Sequence, residues 1–186
     1  MNDDGDDDIA LIALAKAATQ STQAMTELVR ATGPAVFRMC AALVDRPSAE
    51  DLTQETYLRA MRSLATFRGD SSPLRWLLTI ARRVCAEEIA GRQRRRQLES
   101  RLRLERRDTS REPTAQVELT DALDHLSAER REAFVLTVVT GLSYADAALV
   151  CGCPIGTIRS RVARARDDLA RALGDSDAAM SAAAAG

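Results

Sequence analysis

Residues Gly141 to Asp168, GLSYADAALVCGCPIGTIRSRVARARDD, allow few folds. Ser143 is a good helix N-cap, and Asp146 follows three residues later, close to a capping box. Ala145, Ala148 and Leu149 offer a small apolar face for close helix packing. Gly152 suits the left-handed residue that ends a helix, and Pro154 cannot extend one. A second helix is expected from Ile155 to Thr157 onward. Its apolar positions Ile158, Val162, Ala165 and Leu169 form one stripe at helical spacing. The other face carries Thr157, Ser160, Arg161 and Arg164. Short hydroxyl side chains followed by arginines on an exposed helix suit a DNA major groove, where Arg takes guanine O6 and N7 together. A helical hairpin with a solvated basic face is the plainer alternative.

Composition limits what surrounds this motif. The 186 residues allow one domain or two small ones. Aromatics make up only 3%, so the cores must be built from Ala, Leu, Val and Ile. The formal net charge of −1 hides a segregation of acids into the first eight residues and arginines into the middle and the second helix of the motif. Lys16 is the lone lysine. Arginine's planar fork suits phosphates and base edges. No apolar run is long enough to span a bilayer and no signal-peptide pattern opens the chain, so a cytoplasmic protein without membrane insertion is expected.

Met1 to Asp8 reads as a disordered, solvated acidic tail. Ile9 to Val44 is helical by pattern, with a break near Ala18 to Thr22 and a kink or junction at Gly33-Pro34. Arg46-Pro47-Ser48 reads as a loop with Ser48 as the next N-cap. In Ala49 to Phe67 the face Leu52, Tyr57, Ala60, Met61 and Leu64 can be buried. Asp51, Gln54, Glu55, Arg59 and Arg62 are left outside. Asp51, Glu55 and Arg59 follow at intervals of four, which supports the helix itself. Arg68 to Pro73 is a loop by its turn chemistry. Trp76 opens a helix whose core stripe is Leu77, Ile80, Ala81, Val84, Cys85 and Ile89. A lone Trp is ordinarily a core residue, but one beside a polar loop and a basic helix can also stack on an unpaired base.

From Arg75 to Arg111 twelve arginines stand against five acids, a surplus of seven, densest at Arg94-Arg95-Arg96. Such a segment would bind nucleic acid with steep salt dependence. For Gln97 to Glu112 a solvated charged linker is the competing reading. Thr114 to His125 and Ala128 to Thr140 are two further helices. Ser127 caps the second, and Phe134, Val135, Val138 and Val139 form its buried face. The alanine-rich Ser176 to Gly186 is expected to fray.

Four cysteines, Cys40, Cys85, Cys151 and Cys153, form no C-x-x-C pair, and His125 is the single histidine, so no metal site is expected. Cys151 and Cys153 are either redox-sensitive or small thiols buried at a helix junction.

Three segments resemble the bacterial sigma-70 family of RNA polymerase sigma factors, in its minimal extracytoplasmic-function group. DLTQETYLRA (Asp51 to Ala60) is similar to the family's polymerase-binding helix. FRGDSSPLRWLLTIARRV (Phe67 to Val84) is similar to its promoter-opening segment, and Leu126 to Leu169 to its −35-element domain. They occur in the family's order. Pro73 and Leu74 depart from the usual aromatic-then-basic pair, Arg83 stands where Asn is common, and Ala163 replaces a larger side chain.

The resemblance implies an all-α protein of two small helical domains joined by a basic flexible linker. Its parts would be an acidic tail and helix start (1–19), a region-2 domain (20–96), a linker (97–113), a region-4 domain (114–174) and a disordered tail (175–186). Asp51, Gln54, Glu55 and Arg59 would meet the clamp helices of core RNA polymerase, and the flap would be a further contact. Phe67, Arg68, Gly69, Asp70, Ser71 and Ser72 would capture a flipped-out base of the −10 element. Trp76, Arg82 and Arg83 would lie at the melting junction, since holding an extruded base offsets unpairing energy. Arg92, Arg94, Arg95 and Arg96 would follow the DNA backbone, with Thr157 at a phosphate. Arg159, Ser160, Arg161 and Arg164 would read the −35 element. The linker would thread toward the RNA exit region, and an anti-sigma protein is a possible partner.

The expected function is therefore promoter recognition and melting on behalf of core polymerase, using double- and single-stranded DNA. No cofactor and no catalytic residues are expected. An ordinary DNA-binding regulator explains the C-terminal motif but leaves Asp51 to Ala60 without a job. A protein-binding helical adaptor leaves Arg161 and Arg164 unexplained.

Overall fold

The computed structural model describes the backbone of residues 3–102, 122–123 and 125–184, and side chains within 9–99, 122–123 and 125–172. The described residues are helices and short connections, with no strand among them. Helices α1 (Asp3–Ala17), α2 (Thr22–Leu43), α3 (Arg46–Ser63) and α4 (Pro73–Leu102) lie in one compact unit, Met1–Leu102. Helices α5 (Ala128–Phe134), α6 (Tyr144–Cys151) and α7 (Ile155–Ala184) lie in the other, Arg103–Gly186.

In the first unit α2, α3 and α4 pack on one another through small and aliphatic side chains. Val36, Met39 and Cys40 of α2, Ala49, Leu52 and Ala60 of α3, and Leu77, Leu78, Ala81, Val84 and Cys85 of α4 are all buried. The polar groups that enter this core are bonded. Thr32 Oγ1 donates to the Leu28 carbonyl at 2.6 Å and shares a 2.6 Å hydrogen bond with the Tyr57 hydroxyl. Burial pushes the Tyr57 hydroxyl above its ordinary pKa. Cys85 and Cys40 meet at 3.8 Å between their sulfurs. The hydrogen bond from Cys85 holds the Cys40 thiol below its usual range against the cost of burial.

Ser21 caps α2 by accepting from the Ala24 N–H, which places the helix break where the sequence suggested. Gly33-Pro34 lies inside a continuous α2. Several expectations are corrected. The backbone of residues 3–8 belongs to α1. Arg46-Pro47-Ser48 is the first turn of α3 and not a loop. Its cap is Asp45, whose Oδ1 accepts from the Ser48 N–H at 2.8 Å, and Pro47 sits where no helical N–H is needed. Met61 is 55% exposed, Ile80 is only half-buried and Ile89 is exposed, while Leu78 takes a core position. Helix α4 continues to Leu102, into the stretch read as linker.

Arg92 ties this unit together. Its Nε donates to Glu88 Oε1 at 2.6 Å, its Nη2 to Ser48 Oγ at 2.6 Å, and its Nη1 to Asp45 Oδ2. Burial opposes ionisation of Asp45, but the Arg92 guanidinium and the Ser48 N–H outweigh it and hold the carboxyl below its ordinary range. Arg92 does the same for Glu88.

In the second unit Leu126, Ala133, Val135 and Leu136 pack with Ala147, Ala148 and Val150 of α6 and Ile158, Val162, Ala165 and Leu169 of α7. Residues 103–121, which include most of the expected linker and most of the helix expected over Thr114–His125, lie outside the described residues; Ala122 and Leu123 are helical and buried. Ser127 stands at the N-cap of α5 without a side-chain cap bond. The helix widens into a π turn at Val135–Val139, closed by the Thr140 N–H on the Val135 carbonyl at 3.0 Å. Within that wider turn Val135 and Leu136 are buried and Val138 is exposed, while Phe134 and Val139 of the expected face are half-buried. Helix α7 includes the backbone of residues 176–184.

Replacing Arg92 by Met is expected to destabilise the first unit by about 1–3 kcal/mol, because two carboxylates lose a charged hydrogen-bond donor. Both carboxyls have depressed folded pKa values, so this stabilisation is present above the unfolded carboxylate range, about pH 4, and is lost as pH falls below it. Urea melts of the full chain, followed by Trp76 emission, should show a gap between the proteins at pH 7 that narrows toward pH 3.

Candidate partner and nucleic-acid interfaces

On α3, Asp51 and Gln54 are exposed, whereas Glu55 and Arg59 are half-buried and engaged. Arg59 Nε donates to Glu55 Oε1 at 2.7 Å, and its Nη1 reaches Glu87 Oε2 on α4 at 2.8 Å. Beside Gln54 a groove of about 470 Å³ opens between α2 and α3, lined by Val29 and Gly33 on one side and Gln54, Leu58 and Met61 on the other. Leu58 is 50% exposed. Leu58 and Met61 are three residues apart and share this open face, although Met61 also fits the spacing of the buried stripe.

The loop between α3 and α4 begins with a 3-10 turn, Leu64–Thr66, and enters α4 through the Trp76 N–H on the Ser72 carbonyl at 3.0 Å. Phe67 and Trp76 lie with ring centroids 5.1 Å apart at 43°. Both are half-buried against a cluster of Ala15, Leu28 and Leu64, joined by Leu11, Ala18 and Met25. Trp76 packs on this cluster while keeping part of its surface open beside the loop. Arg68 and Asp70 are exposed, and Ser71 and Ser72 are half-buried.

Gly69 has φ of +81°, and a Cβ there would stand 2.9 Å from Lys16 Cε and 3.1 Å from Ile12 Cγ2. Helix α1 therefore lies directly on the loop. Nothing in the sequence except the helical pattern of Ile9 to Lys16 hinted at this contact.

Further along α4, Arg82 is half-buried and Arg83 is exposed. Arg94, Arg95 and Arg96 are exposed, with Arg95 Nη2 at 3.2 Å from Glu88. Arg92 is the exception among the arginines expected on the DNA backbone. Each of its guanidinium nitrogens already has a protein acceptor.

In the second unit the Ser143 Oγ accepts from the Asp146 N–H at 3.0 Å and donates to Asp146 Oδ2 at 2.7 Å. Gly152 takes φ of +65°, and its N–H and that of Cys153 close α6 on the Ala148 and Leu149 carbonyls. This is a helix-turn-helix with its second helix beginning at Ile155. Ala145 and Leu149 are exposed, and Ala147 and Val150 take the buried positions with Ala148. On α7 the stripe Ile158, Val162, Ala165 and Leu169 is buried as its spacing predicts. Arg159, Ser160 and Arg164 are exposed, and neither arginine is paired with a carboxylate among the described residues. Thr157 is half-buried at the helix start. Arg161 leans back, half-buried, with Nη1 3.9 Å from Cys153 Sγ. Cys151 and Cys153 are half-buried thiols outside any disulfide, and Cys151 Sγ lies 3.7 Å from Glu132 Oε2. Arg130 Nη1 to Asp168 Oδ2, at 2.5 Å, fixes α5 to α7 behind the open face.

Among the described residues no group of three His, Cys, Asp or Glu side chains could hold a metal ion, and no helix is long and apolar enough to cross a membrane.

An all-helical unit with a basic fourth helix, and a second unit presenting a helix-turn-helix, define a DNA-binding transcription protein. Family models agree: residues 28–95 match sigma-70 region 2, and residues 116–169 match sigma-70 region 4. The chain belongs to the sigma-70 family of RNA polymerase sigma factors. It is 46% identical over 174 residues to the ECF RNA polymerase sigma factor SigC of Mycobacterium tuberculosis, covering 88% of this chain and 91% of the relative. It is 41% identical over 130 residues to the ECF sigma factor EcfG of Rhodopseudomonas palustris, covering 67% and 71%. Among solved structures it is similar to the sigma factor RpoE of Bartonella quintana in complex with the anti-sigma factor NepR, at 33% identity and a TM-score of 0.68 over 81% of this chain and 96% of that one. CnrH in complex with the cytosolic domain of CnrY gives 27% identity and a TM-score of 0.70 over 90% and 99%. The protein is thus a promoter-specificity factor of the extracytoplasmic-function group, acting with core RNA polymerase in transcription initiation.

Gly69→Ala is expected to cost about 1–2 kcal/mol from the left-handed backbone alone. The methyl group would also press on Ile12. Faster amide exchange over residues 9–17 is expected in this variant; unchanged exchange there would mean that the loop does not hold α1.

Proposed function

We propose that the two units divide the work of initiation. Helix α3 docks on the clamp helices of core polymerase, the Phe67–Ser72 loop captures an unpaired base of the −10 element, and the open face of α7 reads the −35 element in the major groove. The observation that carries this reading is the Arg159, Ser160 and Arg164 face, exposed and without a carboxylate partner among the described residues on a helix otherwise fixed by its buried stripe. A bidentate Arg contact at guanine supplies about 1–3 kcal/mol of discrimination. Arg161, drawn back toward the turn, serves the backbone better than a base edge.

On α3 the docking surface is the exposed Asp51 and Gln54 together with the apolar groove that Leu58 and Met61 border. An exposed apolar patch rimmed by polar groups has the make-up of a protein interface. Glu55 and Arg59 shape this surface by bracing α3 against α4 through Glu87. Arg94, Arg95 and Arg96 follow the DNA backbone, and Arg82 and Arg83 flank the melting junction. The protein acts by binding and positioning, in the cytoplasm, while the polymerase makes RNA. An anti-sigma protein is a further partner on this reading, supported by the complexes in which RpoE and CnrH were solved.

Purified chain added to core polymerase should start transcripts at defined sites that the core alone does not use. Random initiation would overturn the reading. Arg164→Ala is expected to lose about 1–3 kcal/mol of −35 duplex affinity and to relax preference at one base pair. Equal weakening on every sequence would make Arg164 a phosphate contact instead. Leu58→Asp, at an exposed position, is expected to weaken association with core polymerase at least tenfold while leaving the unfolding midpoint unchanged. An unaltered association constant would remove the groove from the interface.

A further inference from the structure

We infer that helix α1 forms one side of the −10 capture site and that Lys16 is a further DNA-binding residue, placed to neutralise a phosphate of the strand held by the Phe67–Ser72 loop. The inference rests on the capture role proposed for that loop. Three features of the structure lead to it.

First, α1 is fastened to the loop by burial. Ala15 is fully buried, and Leu11 and Ala18 pack with Phe67 and Trp76 in the same cluster. The last turns of α1 therefore hold a set position relative to the loop.

Second, the Lys16 stem runs across Gly69. Its Cε and Nζ come within 2.9 and 3.1 Å of where a Cβ would stand, so the stem lies directly over this residue, whose positive φ favours glycine. The ammonium is thereby delivered to the crest of the loop. Lys16 is exposed and is paired with no carboxylate among the described residues.

Third, the chemistry suits a phosphate and not a base. Lys16 is the lone lysine in a chain that otherwise uses arginine for its cations. An ammonium is a compact point charge without the planar fork that reads base edges. With Arg68, exposed and next to Gly69 in the chain, it gives the loop two cations against the single exposed carboxylate of Asp70. A single strand whose base enters the loop must carry its phosphates past this crest. Helix α1 lies outside residues 28–95, the segment that matches sigma-70 region 2, so the contact is an addition to that module.

The test uses the holoenzyme, formed from the full chain and core polymerase. The probe is a fluorophore-labelled non-template strand spanning the −10 element of a start site mapped with that holoenzyme, titrated over a range of salt concentrations. Lys16→Ala is expected to weaken binding roughly three- to tenfold at low salt, by the same factor on strands of different sequence, and to lower the salt slope by about 0.7. Lys16→Arg should restore both. Binding of −35 duplex should not change, and alanine at an exposed helical position keeps the fold. An unchanged affinity and slope in Lys16→Ala, while Arg68→Ala weakens binding, would overturn the inference and leave the loop's role standing. If neither variant weakens binding and the wild-type holoenzyme holds a scrambled strand equally well, the capture role itself falls.

Discussion

Burial of the apolar stripe on α4 is the constraint from which the first unit follows. Thirty residues of helix span about 45 Å, too long for α2 and α3 to cover from end to end. Its first half is sealed by Leu77, Leu78, Ala81, Val84 and Cys85. Its second half emerges with Arg94, Arg95 and Arg96 exposed. One helix thereby fixes the Phe67–Ser72 loop at its start and a run of cations toward its end, in a set relation to each other. With aromatics at only 3% of the chain, the seal depends on close approach of small side chains. Close packing leaves little slack, since interiors are dense and a change of one methylene is felt.

Polar residues do the aligning that so plain an apolar core cannot. Arg92 joins the cap of α3 to α4 through Asp45, Ser48 and Glu88. Arg59 joins the same two helices through Glu55 and Glu87. Apolar contacts between aliphatic side chains slide at small cost, whereas a hydrogen-bonded guanidinium accepts one geometry. These two arginines set the register in which Asp51 and Gln54 face outward. In the second unit Arg130 and Asp168 do the corresponding job behind α7, and the tight turn at Gly152 sets the angle at which α7 leaves.

The helix-turn-helix was legible because its signals are local. The Ser143 cap, the Gly152 stop and the stripe from Ile158 to Leu169 depend on neighbours within a few residues, and each is where the pattern put it. The break before Ser21 was legible for the same reason. Errors fell where local and distant signals compete. Ser48 was a reasonable cap by type, but Asp45 captured the helix start with help from Arg92, which lies 47 residues away from it in sequence. Val138 fits an α-helical stripe, and the π turn moved it outward. Leu149 and Met61 fit their stripes too, yet the neighbouring helices cover the adjacent positions instead.

The sequence by itself determined the all-helical class, the order of the modules and the face of α7 that meets solvent, because helical periodicity and capping are properties of short stretches of chain. Only the tertiary structure decided which arginines are free and which are fastened, that Cys40 meets Cys85, and that α1 with Lys16 lies on the loop at Gly69. Those outcomes depend on residues far apart in the chain reaching the same few ångströms. No spacing along the sequence encodes that meeting, because it is set by how the helices must close over a shared core.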